Sequence, residues 1–197
     1  MAWKTKTRKV SKSTPILASL VMLALGFAGG YQVREQRIPP PAVSVADHSI
    51  QVRFSPKKGC QDMLINALLQ AKKKVEVAIF DLTSDEVAKA LIQLHEKGIW
   101  VRVVADNRQS KGKNSKLSLL HRKGITVRIA KCAGVMHHKI CIIDDGKGGM
   151  LTGSFNYSYG AEHKNIENLL WIRSKALAKV YQQEWQQVWQ NAKPYQP

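Results

Sequence analysis

The sequence predicts an α/β domain, a mostly buried β-sheet with helices packed on it. Three observations carry this expectation. Short runs dense in valine and isoleucine recur, such as V-E-V-A-I-F (75–80), W-V-R-V-V-A (100–105) and I-T-V-R-I-A (125–130), and they have the composition of strands. Between them stand segments whose apolar residues repeat at helical spacing. Both patterns begin near residue 50 and continue to residue 191, with no internal repeat.

In chain order, I-Q-V-R-F (50–54) alternates at period two and runs into the turn S-P-K-K-G. A helix is expected over 61–73, where Met63, Leu64, Ala67, Leu68 and Ala71 share a face. After the strand at 75–80, residues 83–98 read as a helix with defined ends. Thr83 or Ser84 caps it, Glu86 stands three beyond Thr83, and Gly98 follows the last turn. The strand 100–105 leads to a shorter helix over 114–123, stopped at Gly124, and then to the strand 125–130. K-I-C-I-I-D and G-M-L-T-G-S read as two strands joined by the turn D-D-G-K-G-G. N-L-L-W-I-R (168–173) is the last strand expected. A final helix over 174–191 carries Leu177, Val180, Tyr181, Trp185, Val188 and Trp189 on one face.

The chain before residue 50 has a different character. Residues 1–14 hold five positive charges and no negative one, and an apolar stretch follows from Pro15 to Tyr31. A basic segment before an apolar one reads as a secretory signal peptide or a signal anchor over residues 1–31. The apolar stretch, about 17 residues, is at the lower limit for crossing a bilayer. Cleavage after Ala28 and retention as a membrane anchor through residues 15–31 both remain open. Either outcome places the domain in the periplasm or outside, because lysine and arginine stay on the cytoplasmic side. Residues 32–49 include Pro39, Pro40 and Pro41 in a row and read as a stiff linker. The domain is therefore expected over 50–197.

Charge is the outlier of the composition, with 31 Lys and Arg against 14 Asp and Glu, a formal net charge of +17. Residues 1–49 hold seven basic and two acidic residues, which leaves 24 against 12 for the domain. A field of that sign attracts polyanions, either nucleic acid or an anionic lipid surface. The basic stretch N-R-Q-S-K-G-K-N-S-K (107–116), with Arg108, Lys111, Lys113 and Lys116, is the best local candidate for phosphate contacts. Three cysteines are too few for a disulfide framework and lack zinc-ligand spacing. Cys141 belongs to an apolar run; Cys60 and Cys132 could pair in an oxidising compartment.

The chemically capable residues gather in the last third. His137-x-Lys139-x4-Asp144 is followed by Gly153-Ser154-x-Asn156 and by Glu162-x-x-Asn165-x-Glu167-Asn168. On a strand His137 and Lys139, two apart, project to the same face. Imidazole suits nucleophilic and acid–base work near neutrality, and a lysine beside it supplies positive charge for an anionic group. Ser154 and Asn156 can donate hydrogen bonds to phosphoryl oxygens. The set suits an anionic, tetrahedral centre.

H-x-K-x4-D followed by G-S-x-N resembles the signature of the phospholipase D superfamily. The stretch T-G-S-F-N-Y-S-Y-G-A-E-H-K-N-I-E-N, with F54-S-P near the domain start, is most similar to its small bacterial Nuc-type endonuclease branch. The resemblance covers roughly residues 50–191. It implies a mixed β-sheet flanked by helices, one H-x-K-x4-D motif per chain, and a metal-independent phosphodiesterase with no cofactor. It also implies that His137 is nucleophile or acid in a phosphohistidine mechanism, with Lys139, Ser154 and Asn156 holding phosphate oxygens. By the same resemblance Glu167 orients the histidine, and Asp144, at the far end of the strand, is structural or orienting. Because family sites use two such motifs and this chain has one, the resemblance implies a homodimer. The expected substrate is nucleic acid, DNA and/or RNA. A membrane-anchored phospholipase D acting on cardiolipin or another phosphatidyl lipid is the alternative, and a non-catalytic nucleic-acid-binding module is the third reading.

Overall fold

The computed structural model describes residues 50–56 and 59–197. The basic, apolar and proline-rich segments over 1–49 lie outside the described residues. Eight strands form one mixed sheet: β1 (Ile50–Ser55), β2 (Lys74–Ile79), β3 (Trp100–Ala105), β4 (Thr126–Ile129), β5 (Lys139–Ile143), β6 (Gly149–Gly153), β7 (Glu167–Ile172) and β8 (Lys193–Pro194). Their order across the sheet is β1-β7-β6-β5-β2-β3-β4-β8. β2, β3 and β4 are parallel, and the remaining pairings are antiparallel.

The helices are α1 (Cys60–Leu68), α2 (Asp85–Glu96), α3 (Leu117–Arg122), α4 (Tyr159–His163) and α5 (Lys175–Asn191). Strand alternation divides their packing. Val75, Val77 and Ile79 of β2 and Cys141 and Ile143 of β5 face the core formed with α1, α2 and α3. Ala78, Ile140 and Ile142 face the opposite way, against Trp185 and Trp189 of α5. Glu76 shares that second face and is fully buried. It pairs with Arg102 and with Lys74 at 3.2 Å, and the Arg102 guanidinium lies 4.2 Å from the Trp100 ring centre and 4.6 Å from that of Trp185. Breaking such a buried pair by removing one partner costs about 3–5 kcal/mol.

Most expected elements form, with shifted ends. β3 spans the run read from sequence. α1 stops at Leu68 rather than 73, because Leu69 and Gln70 are exposed and have no core to cover. Ser84, not Thr83, caps α2: its hydroxyl accepts the Val87 N–H at 3.2 Å and itself contacts Glu86. α3 begins only at Leu117, since the chain before it makes a short 3₁₀ turn over Gln109–Lys111. N-L-L-W-I-R is not the last strand, because β8 pairs with β4, and α4 is a further element without a strong apolar period. Cys60 and Cys132 do not pair. All three cysteines are free, with Cys60 buried and its thiol pushed up to about 11 by burial, and Cys132 exposed.

The β5–β6 connection is a 3₁₀ turn in which Asp144 and Asp145 both take positive φ, 50° and 55°. The Asp144 carboxylate accepts the backbone N–H groups of Lys72, Lys73 and Lys74 at 2.9, 2.7 and 2.9 Å. Burial alone would push this carboxyl up. The three N–H donors, helped by the Lys72 charge, hold it below its ordinary value of 3.8. A depressed carboxylate pKa gives stability that is fully present above the unfolded value and is lost as pH falls through the folded one. Asp144→Asn is therefore expected to lower the unfolding free energy by about 2 kcal/mol at neutral pH. The gap from wild type should narrow on acidification below the ordinary carboxylate value. Urea unfolding at neutral and acid pH checks both parts, and a gap independent of pH would refute the electrostatic account.

Candidate active site

Strand directions bring the motif residues to one end of the sheet. Lys139 opens β5 opposite Ile79, the last residue of β2, so the start of β5 lies at the carboxyl ends of β2, β3 and β4. That is the end at which open α/β sheets bind ligands. Gly153 closes β6 and Glu167 opens β7 at the same end. His137, Lys139, Ser154, Asn156 and Glu167 are thus brought together, and Asp144 is left at the opposite end of β5. Its place on the backbone of Lys72–Lys74 makes it a clamp of the sheet, not a group that meets substrate.

His137 is exposed, and its ring meets the Phe80 ring edge-on with centroids 4.6 Å apart. Among the described residues neither ring nitrogen has a hydrogen-bond partner, which leaves both available. His138 points to the other face, where Nε2 lies 3.1 Å from Glu184 Oε1 on α5. Lys139 is buried at 5% exposure; its Nζ donates to the His137 carbonyl at 3.0 Å and lies 4.9 Å from the Phe80 ring centre. Burial pulls this amine below its ordinary 10.5, and the charges of Glu167 and Asp81 act against that pull.

Gly153 is required by a close approach: any side chain there would strike the Asn168 carbonyl. The approach lets the Ser154 Oγ accept the Asn168 N–H at 3.1 Å, so its own O–H is free to donate. Asn156 lies between Phe155 and Tyr157, both fully buried, and its Oδ1 is buried without a partner. Oδ1 is an acceptor and repels an anion; the donors that can bind a tetrahedral anion here are the Asn156 Nδ2, the free Ser154 hydroxyl and the buried Lys139 ammonium. Glu167 accepts from Asn165 Nδ2 at 3.1 Å and forms no hydrogen bond to His137. Its charge acts on Lys139 and, more weakly than burial, on Cys60.

Arg108, Lys111 and Lys113 do not surround His137. They line a separate depression and are described further below. Lys116 is engaged with Asp85 at 2.7 Å. Two residues that sequence reading passed over belong near the site. Asp81 follows β2, and burial pushes its carboxyl up while Lys139 opposes the shift. Asp106 follows β3, is 1% exposed, and accepts the N–H of Arg108 at 2.8 Å, of Gln109 at 3.1 Å and of Met136 at 2.9 Å. The signal available for both was their position, an acid immediately after a run of strand residues.

Residues 64–189 match the family described as "Cardiolipin synthase, PLD-like domain". The chain belongs to the phospholipase D-like family, and with it to the phosphodiester hydrolases. It is 30% identical to a phospholipase D of Rickettsia bellii over 193 residues, covering 90% of this chain and 95% of that one. It is 34% identical to the mitochondrial cardiolipin hydrolase of Xenopus tropicalis over 131 residues, 66% of this chain and 61% of the frog protein. Among solved structures, Nuc from Salmonella typhimurium, a phospholipase D family member, superposes with a TM-score of 0.71 at 28% identity, over 76% of this chain and 99% of Nuc. The fold and the Nuc-type branch agree with the sequence reading.

Asp81 and Glu167 are the two carboxylates that support the Lys139 charge. Asp81→Asn removes one of them, so the Lys139 pKa falls further and its protonated form is lost at lower pH. The alkaline limb of the pH–rate profile is expected to move to lower pH, with the acid limb unmoved. An unmoved alkaline limb would place Asp81 outside the site's electrostatics.

Proposed function

We propose that this chain is a homodimeric endonuclease that hydrolyses phosphodiesters of DNA and/or RNA without sequence preference, through a phosphohistidine and without a metal ion. The observation that carries the reading is the unpartnered His137 imidazole beside buried Lys139, the free Ser154 hydroxyl and the orphaned Asn156 amide. A ring nitrogen of His137 attacks phosphorus, a P–N bond forms, and the P–O bond to the leaving group breaks. The leaving oxygen takes a proton from the second copy's histidine. That histidine then takes a proton from water, whose oxygen attacks phosphorus and breaks the P–N bond. Lys139, Ser154 and Asn156 carry the charge on the phosphoryl oxygens.

Two further observations support nucleic acid and the dimer. The domain's 24 basic against 12 acidic residues favour polyanions. Phe54, Tyr159 and Ile166, at 51%, 65% and 91% exposure, form an apolar patch beside Glu167. Hydrogen bonds join their neighbours: Asn165 N–H to the Gly160 carbonyl at 2.9 Å, and the Ser55 hydroxyl to the Asn165 carbonyl at 3.1 Å. A site with one histidine per chain needs a second copy, and this patch flanks it.

The second reading is lipid hydrolysis, favoured by the cardiolipin hydrolase and phospholipase D relatives. Export or anchoring through residues 1–31 fits either reading.

Supercoiled plasmid, single-stranded RNA and cardiolipin vesicles, offered in parallel in excess EDTA, test the assignment. Nicking that survives EDTA and falls roughly 10³-fold or more in His137→Asn is expected. Phosphatidic acid release without nicking would move the chain to the lipid branch. Ile166→Glu is expected to yield a folded monomer by light scattering, with activity lost alongside the dimer. A fully active Ile166→Glu monomer would refute the shared site.

A further inference from the structure

A deep depression of the described surface lies apart from His137. It measures about 750 Å³ and lies at the carboxyl ends of β3 and β4, between the loop after β3, residues 130–134 and the chain beyond α5. Arg108, Lys111, Lys113, Lys131 and Lys193 line it. All five are exposed, and none enters an ion pair among the described residues. The one acidic side chain in its wall is Asp106, whose oxygens are occupied by backbone N–H groups. Five positive charges therefore face one concavity without an opposing free side-chain carboxylate.

The depression is built, and it is joined to the site. Asp106 suspends the basic wall through Arg108 and Gln109 from one oxygen, and the chain leading to His137 through Met136 from the other. Ser110 pins the same loop with its hydroxyl on the Asn107 carbonyl at 2.9 Å. Ala130, Lys131 and Cys132 are shared with a second depression of about 510 Å³, whose other end is lined by His137 and His138. The two depressions thus adjoin along Ala130–Cys132, and the second, walled on its far side by Glu184 and Gln187 of α5, reaches the unpartnered imidazole. Adjoining concavities of this form suit a flexible phosphodiester chain, whereas the flat face of a bilayer cannot follow a concave wall.

We infer that the concavity is a second phosphate-binding site, which holds single-stranded nucleic acid several nucleotides from the bond cleaved at His137. The inference rests on the nucleic-acid reading of the site and adds where the rest of the strand goes. Lysine and arginine there pair with phosphates and read no bases. Recognition is by chain length and charge.

The test uses the full chain with His137→Asn, so that substrate is bound and not cut. Binding of a fluorescent single-stranded DNA of about 20 nucleotides, longer than a typical single-strand site, is followed by anisotropy against salt. Lys111→Glu/Lys131→Glu is expected to weaken binding about tenfold or more and to lower the slope of log affinity against log salt by about 1.4, two contacts at about 0.7 each. Lys97→Glu/Lys123→Glu makes the same charge change at the opposite rim, before β3 and β4, and is expected to do distinctly less. Equal weakening by both pairs would mean a diffuse field and overturn the inference. So would cardiolipin vesicles bound through Lys111 and Lys131 while the oligonucleotide ignores them. Oligonucleotide held through Lys111 and Lys131 by a wild-type chain that cuts no nucleic acid would leave this site standing and refute the nuclease reading.

Discussion

The three hydrogen bonds from Lys72, Lys73 and Lys74 to the Asp144 carboxylate set the relation between β2 and β5, and the site is built on that relation. They tie the entry of β2 to the exit of β5, so the antiparallel pair can only zip in the register that places Lys139 opposite Ile79. A slip of one residue would exchange the faces of the whole strand. Cys141 and Ile143 would turn toward α5, and Ile140 and Ile142 toward α1–α3. At the far end the same slip would exchange His137 with His138. The motif's aspartate thus acts on the chemistry from the opposite end of a strand, by deciding which histidine faces the site.

The register also explains the uneven environments of two adjacent histidines. His138 is anchored on Glu184 of α5, while the His137 ring meets that of Phe80 and, among the described residues, both its nitrogens are without a hydrogen-bond partner. Phe80 and Asp81 come from the end of β2, so the strand that fixes the register also supplies the wall of the site. Lys139 is buried against Phe80 and bonded to the His137 carbonyl. Its charge is kept by Glu167 and Asp81 from two other elements, neither within ion-pair distance. An ammonium held this way stays available to a bound anion, because no carboxylate neutralises it directly.

The sequence was most legible where local pattern and local structure coincide. The β-branched strands, α2 with its stop at Gly98 and the motif order from His137 to Glu167 could be read by spacing alone, as could the separation of Asp144 from the reactive end. What stayed hidden depends on contacts distant in sequence. Asp106 looks like any loop acid until Met136 arrives thirty residues later. β8 is two residues long and exists only because β4 offers an edge. The expected role of Glu167 in orienting His137 comes from family resemblance; within one chain its carboxylate accepts from Asn165. The basic loop is evident from its composition, but its separation from His137 follows from the path of β3 and β4.

The net charge acquires its meaning from how the acids are placed. Glu76 is buried in its pair with Arg102; Asp106, Asp144 and Glu162 accept backbone N–H groups; Asp85 and Glu184 hold Lys116 and His138. Glu76, Asp106 and Glu162 are buried in these contacts, which removes them as counter-charges at the surface, and Asp85 and Glu184 are engaged where they stand. Arg108, Lys111, Lys113, Lys131 and Lys193 are left exposed and unpaired around one concavity. A protein with the same composition and its acids scattered over the surface would screen that concavity within a Debye length of about 8–10 Å. The positive field at the site end of the sheet is therefore a product of the fold as much as of composition, and it stands on the end where His137 presents its ring.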